Sequence, residues 1–348
     1  MELAERIKSF ERLGTFFRDF SENKNPETLF SEKLNSIVIN DHLYNPWFTE
    51  QNIRQAISVI GNSLINNNLN KWISTYPELT VIKKPKIVGV ITAGNLPLVG
   101  FHDLLSILIS GNIFLGKLST KDNRLMQFVK DFLIHDHIEF EKLIFFEENQ
   151  LKNFDAIIAT GSNNTSRYFE YYFGKYPHII RSNRNSIAVL TGNENNNQLK
   201  LLADDIFQYF GLGCRNVSKL FVPEGYSFDK FFENIEHYHY LYNHNKYANN
   251  YDYNRSVYLM NQIPFLDNGF VIVKENTQIS SPIGVIYFEY YKSINSVNQF
   301  IDLNKDKIQC IVSESDQIEN AIPFGKAQQP ELWDYADNVD TIEFLLSL

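Results

Sequence analysis

The chain has 348 residues, room for two domains at ~150 residues each, and 44% of them are apolar, the share of an ordinary globular protein. Forty-one acidic against 32 basic residues leave a formal net charge of −9, which speaks against general nucleic-acid binding, an activity built on basic contacts to phosphate. No apolar run reaches the ~18 residues of a membrane-spanning helix, and two cysteines imply no disulfide framework.

Residues 1–80 read as a helical segment packed on the body of the protein. Leu3, Ile7, Phe10 and Leu13 recur at helical spacing. Glu2, Glu5 and Glu11 do not suit a membrane-surface helix. Charges interrupt residues 1–20 every few positions, unlike a secretory signal, so a cytoplasmic location is expected. The Asn-rich run 63–70 reads as a loop or a helix end.

From residue 86 the pattern changes. Residues 87–94 (IVGVITAG) form a short β-branched run ending in Gly, the mark of a buried strand. Asn95, Leu96 and Pro97 make a turn, and 98–110 carries a helical pattern. Strand 111–119, helix 121–134, strand 142–146, strand 154–162, helix 165–175 and strand 186–192 follow. A second block repeats the alternation: helix 201–210, then strands 218–223, 269–274, 284–288 and 307–312, with a Tyr- and Asn-rich stretch at 238–258. Alternating strands and helices predict parallel, doubly wound sheets, whose ligands sit beyond the carboxyl ends of the strands. Three such ends carry small or polar residues: Gly94-Asn95, Lys117-Leu118-Ser119 and Gly161-Ser162. No GxGxxG follows a strand. The expected organisation is a helical segment (1–80), a nucleotide-binding lobe (81–195), a cysteine-containing lobe (196–320) and a C-terminal segment (321–348).

Cys214 stands in FGLGCRNVSK. Gly211 and Gly213 allow close backbone approach, and Arg215 would favour a thiolate; from local features alone a small core residue remains the commoner reading of a free Cys. Cys310, in the alternating strand KIQCIV, reads as structural. His237, His239 and His244 alternate in HYHYLYNHNKY, but no Cys or carboxylate completes a ligand set, so no metal is expected. His102-Asp103 lies on the helix after Asn95, where ordinary packing outweighs a site-lining role, and His135-Asp136-His137 reads as a loop.

Four segments in this order, TAGNLPLVGFHDLLSILISGNIFLGKLST, ATGSNNTSRYFEYY, SNRNSIAVL and FGLGCRNVSKLFVP, resemble the aldehyde dehydrogenase superfamily, and within it the LuxC-type acyl-CoA reductases. The closing FGKAQQPELWDYADNVDTIEFL is similar to the end of short bacterial members. The resemblance implies two doubly wound α/β lobes around a cleft. It implies Cys214 as nucleophile and Asn95 as an oxyanion donor, with the Cys214 amide as the second. Lys117 and Ser119 would meet the nucleotide ribose, and Gly161, Ser162 and Thr165 its pyrophosphate. The residues alone also allow Asn95 as a turn former and Gly161-Ser162 as a helix cap.

Two departures from the superfamily carry information. The segment that holds a Glu base in acid-forming members reads Arg181-Ser182-Asn183-Arg184-Asn185-Ser186, with Arg181 near the Glu position. Hydrolysis of a thioester needs such a base, whereas exchange with CoA does not. Arg181 and Arg184 are open to two readings, a contact with a CoA phosphate or a solvated surface position. Leu118, Ser119, Thr120 and Lys121 hold no carboxylate where NAD-preferring members often have Glu, which favours NADPH over NADH. Gln278, in TQISSPIG, stands where the superfamily has another Glu. The implied activity is NAD(P)H-dependent reduction of an acyl-CoA, with fatty acyl chains favoured, by a homodimer that could receive acyl groups from a partner enzyme. The alternatives are reduction of an acyl phosphate or a partner-delivered acyl group, or a non-catalytic interaction protein on the same fold.

Overall fold

The computed structural model describes all residues except Asn25, Pro26, Ile82 and the side chain of Asn163. The chain forms two compact units, residues 1–183 with 330–348, and residues 184–329.

The first unit begins with four helices, α1 (Leu3–Ser21), α2 (Leu29–Asn40), α3 (Glu50–Ser63) and α4 (Asn66–Ile73). α1 buries Phe10, Leu13, Phe17 and Phe20, so the amphipathic stripe serves the protein's own core. Glycines set the α1–α3 approach: a Cβ on Gly14 would lie 2.6 Å from the Leu64 Cβ. The Asn-rich run is helical from Asn66 onward, because Leu69 and Trp72 bury one face of α4 and tertiary packing outweighs the weak helix propensity of Asn.

Next come β1 (Ile87–Ile91), α5 (Phe101–Ile109), β2 (Ile113–Lys117), α6 (Arg124–Asp136), β3 (Ile144–Phe146), β4 (Ala156–Thr160), α7 (Asn163–Phe173) and β5 (His178–Arg181). The sheet is parallel, in the order β3-β2-β1-β4-β5. β5 went unread in the sequence because four residues with only Ile179 and Ile180 apolar carry little periodicity. α5 starts at Phe101 rather than residue 98, since Leu98 holds a left-handed φ of 59°. His135 and Asp136 close α6 rather than forming a loop, and the Asp136 carboxylate takes the Arg12 guanidinium of α1.

The C-terminal stretch is woven into this unit. Trp72 Nε1 donates to the Tyr335 hydroxyl at 2.7 Å, and Tyr76 donates to Asp340 at 2.6 Å. His102 and Asp103, on α5, are engaged within this unit: His102 is bonded to the Leu332 carbonyl, and Asp103 is buried against Arg181. Burial lowers the His102 pKa, which keeps the ring neutral.

The second unit contains β6 (Asn185–Val189), α8 (Asn196–Phe207), β7 (Val217–Pro223), α9 (Asp229–Ile235), α10 (Asn245–Met260), β8 (Leu266–Asp267), β9 (Ile272–Glu275), β10 (Val285–Tyr291), α11 (Ile294–Leu303) and β11 (Ile308–Val312). Its sheet runs β11-β6-β7-β10-β9-β8, parallel except for β8 against β9. α8 starts before residue 201 because Asn195 and Gln198 form a capping box. The Tyr- and Asn-rich stretch is a 3₁₀ helix (Glu236–Asn243) running into α10.

Candidate functional site

In the first unit, β1 lies between β2 and β4, the point at which the winding of the sheet reverses and where ligands of open α/β sheets bind. Ile91 at the end of β1 is in register with Lys117 on one side and Ala159 on the other. The loops carrying Asn95, Ser119 and Gly161-Ser162 therefore leave one sheet edge side by side, about 4.8 Å between strands.

Close packing joins the first two loops. Thr92 N–H donates to the Lys117 carbonyl, and Ser119 N–H to Thr92 Oγ1, both at 3.3 Å. A Cβ on Gly94 would lie 2.2 Å from Ser119 Oγ, so only glycine fits there. Asn45, 2% exposed, donates from Nδ2 to the Gly94 carbonyl at 3.1 Å and fixes the peptide just before Asn95. Asn45 lies outside the segments that carry the resemblance, and nothing in its local sequence marks it. Burial pushes the carboxyl of Asp122, in the Ser119 loop, well above the usual carboxylate range.

At the third loop, Ser162 caps α7: its Oγ accepts from Thr165 N–H at 3.3 Å and lies 2.9 Å from Thr165 Oγ1. A Cβ on Gly161 would press on the Thr165 Cβ at 2.9 Å. The result is a capped helix N-terminus, which favours anions, at the sheet edge.

A cavity of about 760 Å³ opens beyond β2 and β3, lined among others by Lys33, Leu118, Thr120, Arg124, Phe146 and Glu147. Its cations are engaged, Arg124 with Asp41 at 2.8 Å and Lys33 with Asp131. Glu147 and Glu148 reach the same cavity from the end of β3. The run after Lys117 lacks a carboxylate, yet a neighbouring strand supplies two; pairing in the sheet, not chain order, brings them there.

Arg181 is not a solvated surface arginine. It is 7% exposed, and its Nη1 and Nη2 donate to the two Asp103 oxygens at 2.8 and 2.9 Å. Nη2 also reaches Thr341 Oγ1 of the C-terminal helix Thr341–Leu346 at 3.3 Å. Arg184 donates from Nη1 to the Lys305 carbonyl at 3.4 Å in the second unit.

In the second unit, Cys214 is exposed on the turn between α8 and β7. Tyr209, Phe210 and Gly211 hold successive φ values of 54°, 59° and 73°. Two aromatic residues in that region cost of order 1–3 kcal/mol each; both are buried, with the Phe210 ring 4.4 Å from His244. Ser186 Oγ donates to the Cys214 carbonyl at 3.0 Å, and Arg215 Nε to the Ala327 carbonyl at 2.5 Å. Asp205, fully buried, accepts Gly325 N–H and Ala327 N–H at 2.6 and 2.8 Å. Burial raises its pKa to about 7 although both amides favour the carboxylate.

Cys310 is half-buried in β11 with its Sγ 3.0 Å from Ser186 Oγ. Gln278 is exposed on the loop after β9; Ser218 and Lys219 of β7 hold that loop through the Ile279 and Asn276 carbonyls at 2.7 and 2.9 Å. His237 and His239 are bonded to the Asn234 carbonyl and to Glu236. Among the described residues no group of three His, Cys, Asp or Glu is arranged to hold a metal, and no helix is long and apolar enough to cross a membrane.

The fold is that of the aldehyde dehydrogenases. The chain is similar to aldehyde dehydrogenase 21 from Physcomitrella patens, solved with its reaction product succinate, at 12% identity and a TM-score of 0.69, over 100% of this chain and 84% of that one. It is also similar to an NAD-dependent aldehyde dehydrogenase from Sinorhizobium meliloti (11% identity, TM-score 0.64, 93% and 74% covered). A third similar structure is the aldehyde dehydrogenase KauB from Pseudomonas aeruginosa (12%, 0.62, 86% and 69%). None of the curated proteins compared with the chain matches it in sequence. Residues 43–237 match the family described as Acyl-CoA reductase (LuxC), and the chain belongs to that family. It is thus an oxidoreductase of the acyl-CoA and aldehyde level.

Proposed function

We propose that the protein reduces an acyl-CoA thioester, with fatty acyl chains favoured, to the aldehyde through an acyl-enzyme on Cys214. The observation that carries this reading is an exposed cysteine on a tightly bonded turn, three residues after a run of left-handed backbone, in a chain of this family. The Cys214 thiolate attacks the thioester carbonyl carbon, and the Asn95 side chain and the Cys214 N–H hold the oxyanion. The carbonyl re-forms, and CoA departs as thiolate with the electron pair of its C–S bond. A nicotinamide dinucleotide, when bound, supplies the hydride that brings the acyl group to the aldehyde level. Cys214 then leaves from the thiohemiacetal as aldehyde is released.

The loops at the carboxyl edge of the first sheet fit such a dinucleotide. Lys117 and Ser119 would meet the ribose, and the α7 N-terminus with Gly161, Ser162 and Thr165 would meet the pyrophosphate. The cavity beyond β2 and β3 has room for the adenosine end. Lys121 and the carboxylate-free run 118–121 favour NADPH, while Glu147 and Glu148 oppose a 2′-phosphate. Rates with NADPH and NADH separate the two.

Arg181 supports reduction over hydrolysis. A guanidinium stays charged and has no lone pair to accept a proton, and this one is committed to Asp103. We also propose a homodimer: Tyr168, Tyr171 and Tyr172 are 66%, 83% and 60% exposed on α7 in the single chain. Light scattering measures that state.

The deciding experiment follows loss of NADPH absorbance with acyl-CoAs from acetyl to palmitoyl, beside Cys214→Ala. Turnover with one length class, abolished in the variant, is the expected result. Equal turnover by the variant overturns the reading.

A further inference from the structure

Cys214 is the second residue of a four-residue turn, Gly213 to Asn216, that is clamped twice. Asn216 N–H donates to the Gly213 carbonyl at 3.1 Å. In return, Gly213 N–H donates to the Asn216 side-chain oxygen at 2.8 Å. The Nδ2 group of the same side chain lies within hydrogen-bond distance of three carbonyls at the end of α8: Asp205 and Ile206 at 3.2 Å and Gln208 at 2.9 Å. Asn216 is 2% exposed. One buried amide therefore ties the turn to itself and to the helix before it.

This clamp has a stereochemical consequence. A trans peptide is planar, and its N–H points opposite to its C=O. The Gly213 carbonyl is drawn inward by the Asn216 backbone N–H, and the Asn216 side chain holds that geometry by clamping Gly213 N–H and the end of α8, so the N–H across the 213–214 peptide, which belongs to Cys214, is directed out of the turn. The next peptide is fixed as well, because the Cys214 carbonyl accepts from Ser186 Oγ at 3.0 Å.

We infer that Asn216 is the positioning residue that aims the Cys214 N–H at the oxyanion; this rests on the acyl-enzyme reading above. Asn216 touches no substrate. It acts through the orientation of one peptide.

Two reagents separate aim from reactivity. Iodoacetamide alkylates a thiolate by displacement at a saturated carbon, with iodide leaving and no oxyanion formed. p-Nitrophenyl acetate acylates the same thiolate through a tetrahedral oxyanion: a C–S bond forms, the C–O bond breaks, and p-nitrophenolate leaves with the electron pair. Both reactions are followed on the full chain, beside Asn216→Ala and Cys214→Ser. Loss of an aimed oxyanion donor costs up to 10²–10³-fold, and misaiming it about 10–100-fold. The expected result is that Asn216→Ala slows acylation about 10–100-fold while alkylation stays within about threefold.

Equal slowing of both reactions overturns the proposal, since the residue would then merely hold the loop together; so does no slowing of either. Acylation that persists in Cys214→Ser sinks the acyl-enzyme reading itself, a distinct failure. Where Asn216→Ala does not fold, Asn216→Asp keeps the acceptor for Gly213 N–H and loses the amide donors. The same split, smaller in size, is expected there, and equal slowing of both reactions overturns the proposal again.

Discussion

Arg181 and Asp103 form a two-pronged ion pair, 2.8 and 2.9 Å, with both side chains nearly out of water. Such a pair is costly to break from one side, because the remaining charge stays buried. Asp103→Asn is expected to lower the unfolding free energy by about 3–5 kcal/mol. Replacing both, Arg181→Met with Asp103→Leu, is expected to cost clearly less. Urea denaturation of the two variants checks this.

Acid formation from the proposed acyl-enzyme would need a water activated by a base, and Arg181 supplies none. Aldehyde oxidation with the oxidised dinucleotide is therefore expected only when CoA is present, with acyl-CoA and no free acid as product. Chromatography of the products with and without CoA is the measurement. Free acid formed at a comparable rate would contradict it.

Gly94 and Ser119 can be tested together. In Gly94→Ala the new Cβ has no room beside Ser119 and must push the β1 and β2 loops apart. Dinucleotide affinity is expected to fall about tenfold, an effect of ~1.4 kcal/mol. Ser119→Gly removes the obstructing atoms, so the double variant is expected to recover part of the loss. Calorimetric titration reads both.

Glu147 lines the cavity proposed above for the adenosine end. Glu147→Gln removes one negative charge from the surroundings of a 2′-phosphate. The ratio of kcat/KM for NADPH over NADH is expected to rise about three- to tenfold, the scale of one Coulomb contact in a partly solvated site. An unchanged ratio would place the 2′ position elsewhere.

Asp205 is expected to make stability depend on pH. Its folded pKa, about 7, exceeds the unfolded value of 3.8, so the folded chain binds more protons between these limits. Unfolding free energy from this group then falls as pH rises from about 4 to about 7 and is flat above, by up to ~4 kcal/mol. Asp205→Asn is expected to flatten that slope in urea titrations at pH 5, 6, 7 and 8.

Most of the secondary structure is legible along the chain. Strands such as 87–91 lie in short β-branched runs, here 87–94, that end in glycine. Cys214, Asn95, Lys117 and Gly161-Ser162 stand in segments whose order resembles one family, and the family match agrees. Which distant residues complete these loops follows from the packed fold. Asn45 fixes the Gly94 peptide from 49 positions away, and Asp103 takes Arg181 out of solvent from 78. Glu147 enters the cavity beside Leu118 and Thr120 because β3 pairs with β2. The physical reason is the same in each case. Periodicity and turn chemistry act over a few residues and can be read along the chain, whereas the partner of a buried polar group is chosen by sheet order and packing, which sequence spacing does not encode.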